Sequence, residues 1–166
     1  MSPRRGDAAS RYYLGFALLA ALQFYLRPRV WDGRGAPDFV FLALMLIAVR
    51  ARPGVAAASG FLIGLMNDVL APASFGAAAL AHTVVGYLAA VGRSVFFPDN
   101  LFVNAALFGC GVWVRDALVL LASGTPSGQL SAGLLVWSPL EALSTAVAGA
   151  ILLLGFRDWF AVRLET

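Results

Sequence analysis

Apolar residues fall in long blocks along this chain, and polar residues collect in the short gaps between them. The blocks predict helices at residues 12–26, 38–49, 55–70, 76–91, 101–121 and 130–156. The gaps carry residues that stop or turn a helix: Arg27-Pro28-Arg29, Pro53-Gly54, Pro72, Pro98 and a Gly/Ser/Pro stretch at 123–131. A perpendicular membrane helix needs about 20 apolar residues. The second block holds only 12 before Arg50. It must borrow residues from the preceding loop, re-enter, or sit where the bilayer thins. The third and fourth blocks are short too, and the tight turn at 71–75 lets them pair as a compact hairpin.

Composition turns these blocks into membrane helices. Hydrophobic residues make up 60% of the 166 and charged residues 13%, against about 45–50% and about 25% in soluble domains. The mean hydropathy of +0.81 agrees. The expected fold is one all-α integral membrane domain over residues 1–166, a bundle of six transmembrane helices. The N-terminal arginines before an apolar run are similar to the first regions of a signal peptide. Arg27-Pro28-Arg29 follows without a small-x-small cleavage site, so the run reads as an uncleaved first helix.

All twelve basic residues are arginine, and the net charge is +3. They lie scattered at helix ends, which argues against nucleic acid as a partner. With six spans, Arg4, Arg5, Arg11, Arg50, Arg52, Arg93, Arg157 and Arg163 share one side, eight in all. Arg27, Arg29 and Arg34 lie on the other, and Arg115 falls inside a span. The positive-inside rule then puts both termini in the cytoplasm. Aromatic residues at the span ends fit interfacial belts: Tyr12, Tyr13, Phe96, Phe97 and Trp159 inside, Tyr25, Trp31 and Trp137 outside.

The polar residues within the spans form a depth pattern. Gln23, Asp68, His82, Arg115, Asp116 and Glu141, together with Asn67, all fall in the outer half, and Asn104 lies near the inner end. Intramembrane ionisable groups face the bundle interior and pair with one another. These residues therefore suggest a polar layer or cup open to the outside, for a small ligand, a lipid headgroup or a partner's helix. The plainer reading is that they snorkel to the interface near span ends. An Asp68–Arg115 ion pair is one expectation. Arg115 and Asp116 are adjacent, so their side chains diverge by about 100°. His82, the only histidine, reads as a hydrogen-bonded structural residue. Cys110 reads as a small buried hydrophobe and leaves no intrachain disulfide. No phosphate loop, His-Glu-x-x-His or Gly-x-Ser-x-Gly motif occurs. An enzyme is not expected, and neither is a cofactor or a metal.

Small residues give a sharper signal. Gly60, Gly64 and Asp68 recur every four residues and so share one stripe of an apolar helix, with Ala56 a turn earlier. Ala17 and Ala21 repeat the spacing in the first helix, and Thr145 and Gly149 in the last. Such stripes let backbones approach closely, either inside the bundle or against a separate protein's helix.

Residues 37–92 as a whole resemble the rod shape-determining protein MreD family. The resemblance rests on Pro37-Asp38 opening an apolar helix, the basic turn at 50–54, and Gly60-Phe-Leu-Ile-Gly64-Leu-Met-Asn-Asp68. Phe75-Gly76 after the break, and the run from Ala79-Leu80-Ala81 to Gly86-Tyr87-Leu88, complete it. Phe75 stands where the family pattern has leucine. The resemblance implies a non-enzymatic scaffold of the cell-wall elongation machinery in the bacterial inner membrane, supporting peptidoglycan synthesis. It implies an MreC-like single-span partner and, through it, MreB and the glycosyltransferase–transpeptidase pair. It also implies a six-helix fold similar to the substrate-binding subunits of energy-coupling-factor vitamin transporters. On this reading Gly60 and Gly64 are backbone-approach sites for a partner, Asp68 a polar anchor and Gly76 a turn residue.

The alternative is a substrate-binding subunit of an energy-coupling-factor transporter itself. Ala17 and Ala21 would then meet a coupling subunit, and Gln23, Asp68, His82, Arg115 and Glu141 would line an outward site.

Overall fold

The computed structural model describes residues 14–30, 34–96 and 101–155, with the side chains of 30, 93–96 and 155 left aside. The arginines of both termini and Trp31, Phe97 and Trp159, on which the expected orientation and belts partly rest, lie outside the described residues. Among the described residues the secondary structure is all helical. Helix α1 covers residues 14–30, α2 Phe39–Ala48, α3 Pro53–Leu70, α4 Ala77–Phe96 and α5 Leu101–Ala122. Helix α6 runs as Ser127–Ala132, a wide turn Gly133–Trp137, and Ser138–Gly155. Among the described residues, three stretches are long and apolar enough to cross a membrane: Pro53–Leu70, Leu101–Ala122 and Ser127–Leu154.

The helix boundaries follow local chemistry. Pro53 does not break a helix but begins α3 at its first turn, where a missing N–H is harmless. Helix α1 does not stop at residue 26. It continues to residue 30 through a π-turn at Leu22–Leu26, closed by the Arg27 N–H donating to the Leu22 carbonyl. Helix α6 repeats the device: its π-turn Gly133–Trp137 is closed by the Ser138 N–H donating to the Gly133 carbonyl. Each π-turn ends two residues before a proline, Pro28 or Pro139. A proline ring clashes with the carbonyl four residues back and offers that carbonyl no donor. Widening the turn absorbs both problems without ending the helix. In α6 the indole Nε1–H of Trp113 also donates to the Leu134 carbonyl, at 3.0 Å.

Helix α2 is the core of the bundle. Eight of its ten residues are buried. Its hydrophobic surface runs all the way round, as a helix enclosed by others requires. Ten residues rise only about 15 Å, half the hydrocarbon thickness of about 30 Å. The missing length comes from non-helical chain, since Ala36, Pro37 and Asp38 are buried as a lead-in that follows a turn at Gly35 and is extended at Asp38. Around α2 gather Leu19 of α1, Val85 of α4, Phe108 and Val112 of α5, and Ala142 and Leu152 of α6.

Helices α3 and α4 form a hairpin across the turn Pro72–Ser74. Gly76, at φ +96°, supplies the backbone conformation that leads into α4. The buried stripe of α3 is Ala56, Gly60, Gly64 and Asp68, and it lies against α4. A Cβ on Gly60 would overlap the His82 carbonyl, and one on Gly64 would overlap the backbone of Ala78 and Ala79. Gly86 of α4 answers from the other side, against the Ala56 carbonyl. The face expected to receive a partner's helix is thus filled by α4 of the same chain. Cys110, expected to be buried, is exposed on the outside of α5. An apolar position on a membrane helix does not distinguish core from lipid, and here it faces outward.

Candidate functional site

The polar residues of the spans separate into two groups. The first is built on Arg115 of α5, whose residue is only 8% exposed. Its Nη1 donates to Asp38 Oδ2 at 2.8 Å and its Nη2 to Glu141 Oε1 at 3.0 Å. Asp116 Oδ1 lies 2.9 Å from Nε, off the direction of its N–H, so this is a charge contact and not a hydrogen bond. The guanidinium carbon stands 5.3 Å from the centre of the Phe41 ring. Arg27 approaches Glu141 Oε1 at 3.7 Å. Arginine suits this position because its planar fork can hold two carboxylates at once.

Residues around the same cluster supply hydrogen-bond partners to the α2 lead-in. Extended backbone buried at membrane depth needs a partner for every polar group. Pro37 has no N–H to satisfy. The Asp38 N–H donates to Thr145 Oγ1 at 3.0 Å, and the Phe39 N–H donates to Gln23 Oε1 at 3.0 Å. The Phe41 N–H donates to Asp38 Oδ1 at 2.8 Å, the N-cap of α2. Asp38 therefore does two jobs with two oxygens: one caps α2 and the other binds Arg115.

The second group belongs to the hairpin. Asp68 Oδ1 accepts from the Ala78 N–H at 2.9 Å and Oδ2 from the Ala79 N–H at 2.9 Å. It caps the first turn of α4 from the end of α3. His82, 1% exposed, sits next to this cap and donates its Nδ1–H to the Ala78 carbonyl at 2.8 Å. Its ring also meets Phe41 edge-on, with centroids 6.2 Å apart.

The expected Asp68–Arg115 pair is therefore overturned. Both Asp68 oxygens serve backbone donors of α4, and Asp38 takes its place at Arg115. Arg115 and Asp116 do not simply diverge either, because the long arginine side chain bends back to bring Nε beside its neighbour. Of the six residues placed in an outer polar layer, Gln23, Arg115, Asp116 and Glu141 come together, while Asp68 and His82 belong to the hairpin, with the Phe41 ring touching both His82 and the Arg115 guanidinium. Sequence reasoning missed Asp38, Arg27 and Thr145 as members. An aspartate just before an apolar run is an N-cap signal that could have found Asp38. The buried Thr145 carried no such signal. Ala17 and Ala21 are exposed on the outside of α1.

Beside the cluster, where residues 34–35 and 125–133 meet α5, is a cavity of about 560 Å³. Asp116, Ser138 and Glu141 line it together with Arg34 and Trp137. Among the described residues, no group of three His, Cys, Asp or Glu side chains is placed to hold a metal ion.

The architecture is that of a polytopic helical membrane protein whose intramembrane charges hold its own helices together. The chain belongs to the rod shape-determining protein MreD family, whose pattern matches residues 12–157, nearly the whole length. No curated protein matches it. No solved structure matches it either, so the expected likeness to energy-coupling-factor subunits gains no support from that comparison. Membership gives the chain a role in rod-shape determination and a place in a membrane.

Proposed function

We propose that this protein is a non-enzymatic membrane scaffold of the bacterial elongation machinery, a six-helix bundle of the inner membrane with both termini in the cytoplasm. It holds an MreC-like single-span protein and, through it, reaches MreB and the glycosyltransferase–transpeptidase pair that builds peptidoglycan. The family match over residues 12–157 carries this reading. The polar layer supports it, because Gln23, Asp38, Asp68 and Thr145 are engaged with backbone N–H groups and Arg115 with carboxylates. Those are the bonds of a rigid frame.

The partner's face follows from what is left uncovered. Gly60 and Gly64 are occupied internally, so the small-residue stripe available to another helix is Ala17 and Ala21 on α1, flanked by the exposed Leu14, Leu18 and Tyr25. Tagged protein captured from mild-detergent membranes of its host should enrich a single-span coiled-coil protein and cell-wall synthases. Ala17→Leu with Ala21→Leu should remove that enrichment while leaving the protein folded. Enrichment of paired transport ATPases with a membrane coupling subunit would overturn the scaffold reading in favour of a transporter subunit.

A further inference from the structure

We infer that the cavity beside Arg115 binds a zwitterionic primary amine, with its ammonium on Glu141 and Asp116 and its anionic group at Arg34. The volume of about 560 Å³ falls within the roughly 300–1,000 Å³ of small-molecule sites. Charge selects the ligand. Three carboxylates, Asp38, Asp116 and Glu141, face two guanidinium groups, Arg115 and Arg27. Among the described residues this leaves one more carboxylate than guanidinium, and because Asp38 is buried against Arg115 the surplus falls on Glu141 and Asp116, whose side chains keep 19% and 17% exposure where they line the cavity. The described contacts of the Glu141 carboxylate all fall on Oε1, so Oε2 remains to accept from a ligand lining the same cavity.

The third arginine of the region does not neutralise this excess by a described ion pair. The Arg34 guanidinium stands over the Trp137 ring, 5.0 Å from its centre, on the cavity's edge. A carboxylate site and a guanidinium thus border one space. An ammonium with a neighbouring phosphate or carboxylate satisfies both. A metal ion does not fit, because the described residues offer no group of three ligands. A quaternary ammonium fits poorly, because it has no N–H to give to Glu141. The chemistry is shared by an ethanolamine phospholipid headgroup and by a free zwitterionic amine.

Native mass spectrometry of the full chain in detergent tests this with four probes. These are phosphatidylethanolamine, phosphatidylcholine and phosphatidylglycerol of equal acyl chains, and free O-phosphoethanolamine. A charge-assisted hydrogen bond predicts that phosphatidylethanolamine binds about tenfold tighter than the other two lipids. Competition by O-phosphoethanolamine at similar affinity assigns the site to a soluble amine, and its failure to compete assigns it to the lipid. Glu141→Gln and Asp116→Asn should each erase the preference, with thermal melting confirming that the variants are folded. Equal binding of the three lipids with no binding of O-phosphoethanolamine overturns the inference. So does a preference that survives in both folded variants. The comparison among wild-type probes needs no variant and decides the matter if neither variant folds.

Discussion

The α3–α4 hairpin and the Arg115 cluster both fix helices in place, but by opposite means. The hairpin works by removing side chains. Gly60 and Gly64 bring two backbones together, with Asp68 capping α4 only ten residues further along the chain. The Arg115 cluster works by adding side chains, and its bonds join residues 77 and 107 positions apart. The hairpin can form as soon as its two helices exist. The cluster forms only when α1, α2, α5 and α6 are all assembled. Close packing therefore sets the local geometry, while the ionic and hydrogen-bonded layer specifies how the ends of the chain come together.

If that contrast is right, its two halves should break differently. The largest loss is expected from Arg115→Leu, which strands three carboxylates. Removing one partner of a buried ion pair costs about 3–5 kcal/mol. Chemical denaturation of the purified full chain in detergent would measure it, with Arg115→Lys falling between because an ammonium cannot fork to two carboxylates. Gly64→Leu should follow at about 3 kcal/mol, the upper part of the usual range for overpacking, since it forces a side chain against the Ala78 and Ala79 backbone. Its damage should appear as increased hydrogen exchange in α3 and α4 before the rest.

Asp68→Ala should lose about 1–2 kcal/mol, the scale of a lost N-cap that leaves buried N–H groups unpaired. Its exchange signature should stay in the first turn of α4. The smallest effect on stability belongs to Ala21→Leu on the exposed side of α1, within about 0.5 kcal/mol. A larger loss there would mean that α1 uses this stripe within the bundle, and the proposed partner face would have to move.

The same contrast explains what could be read from the sequence. Helical blocks, their proline and glycine punctuation, and the stripe of Gly60, Gly64 and Asp68 all depend on neighbours within a few turns. They are visible as spacing. The use of that stripe was not visible, because a small-residue face is the same whether α4 or another protein covers it. The partner of Arg115 was hidden for a different reason. Asp38 and Asp68 are both carboxylates at the same end of the bundle, and only the tertiary fold gives Asp68 to the α4 backbone. The short second block was ambiguous until its lead-in proved extended and buried, with Gln23 and Thr145 supplying the acceptors that a helix would have supplied itself. The length of α1 is hidden in the sequence because Pro28 looks like a stop, whereas a π-turn carries the helix past it.

Asp38 and Arg115 act together to hold α2 in the middle of the bundle. The most direct test is a double-mutant cycle of Asp38→Asn and Arg115→Gln, read as unfolding free energy of the full chain in detergent. The two losses should be coupled, by between about 1 and 3 kcal/mol, so that the double variant is little worse than the poorer single one. Losses that add to within about 0.5 kcal/mol would contradict it, and Arg115 would then serve Glu141 and Asp116 independently of α2.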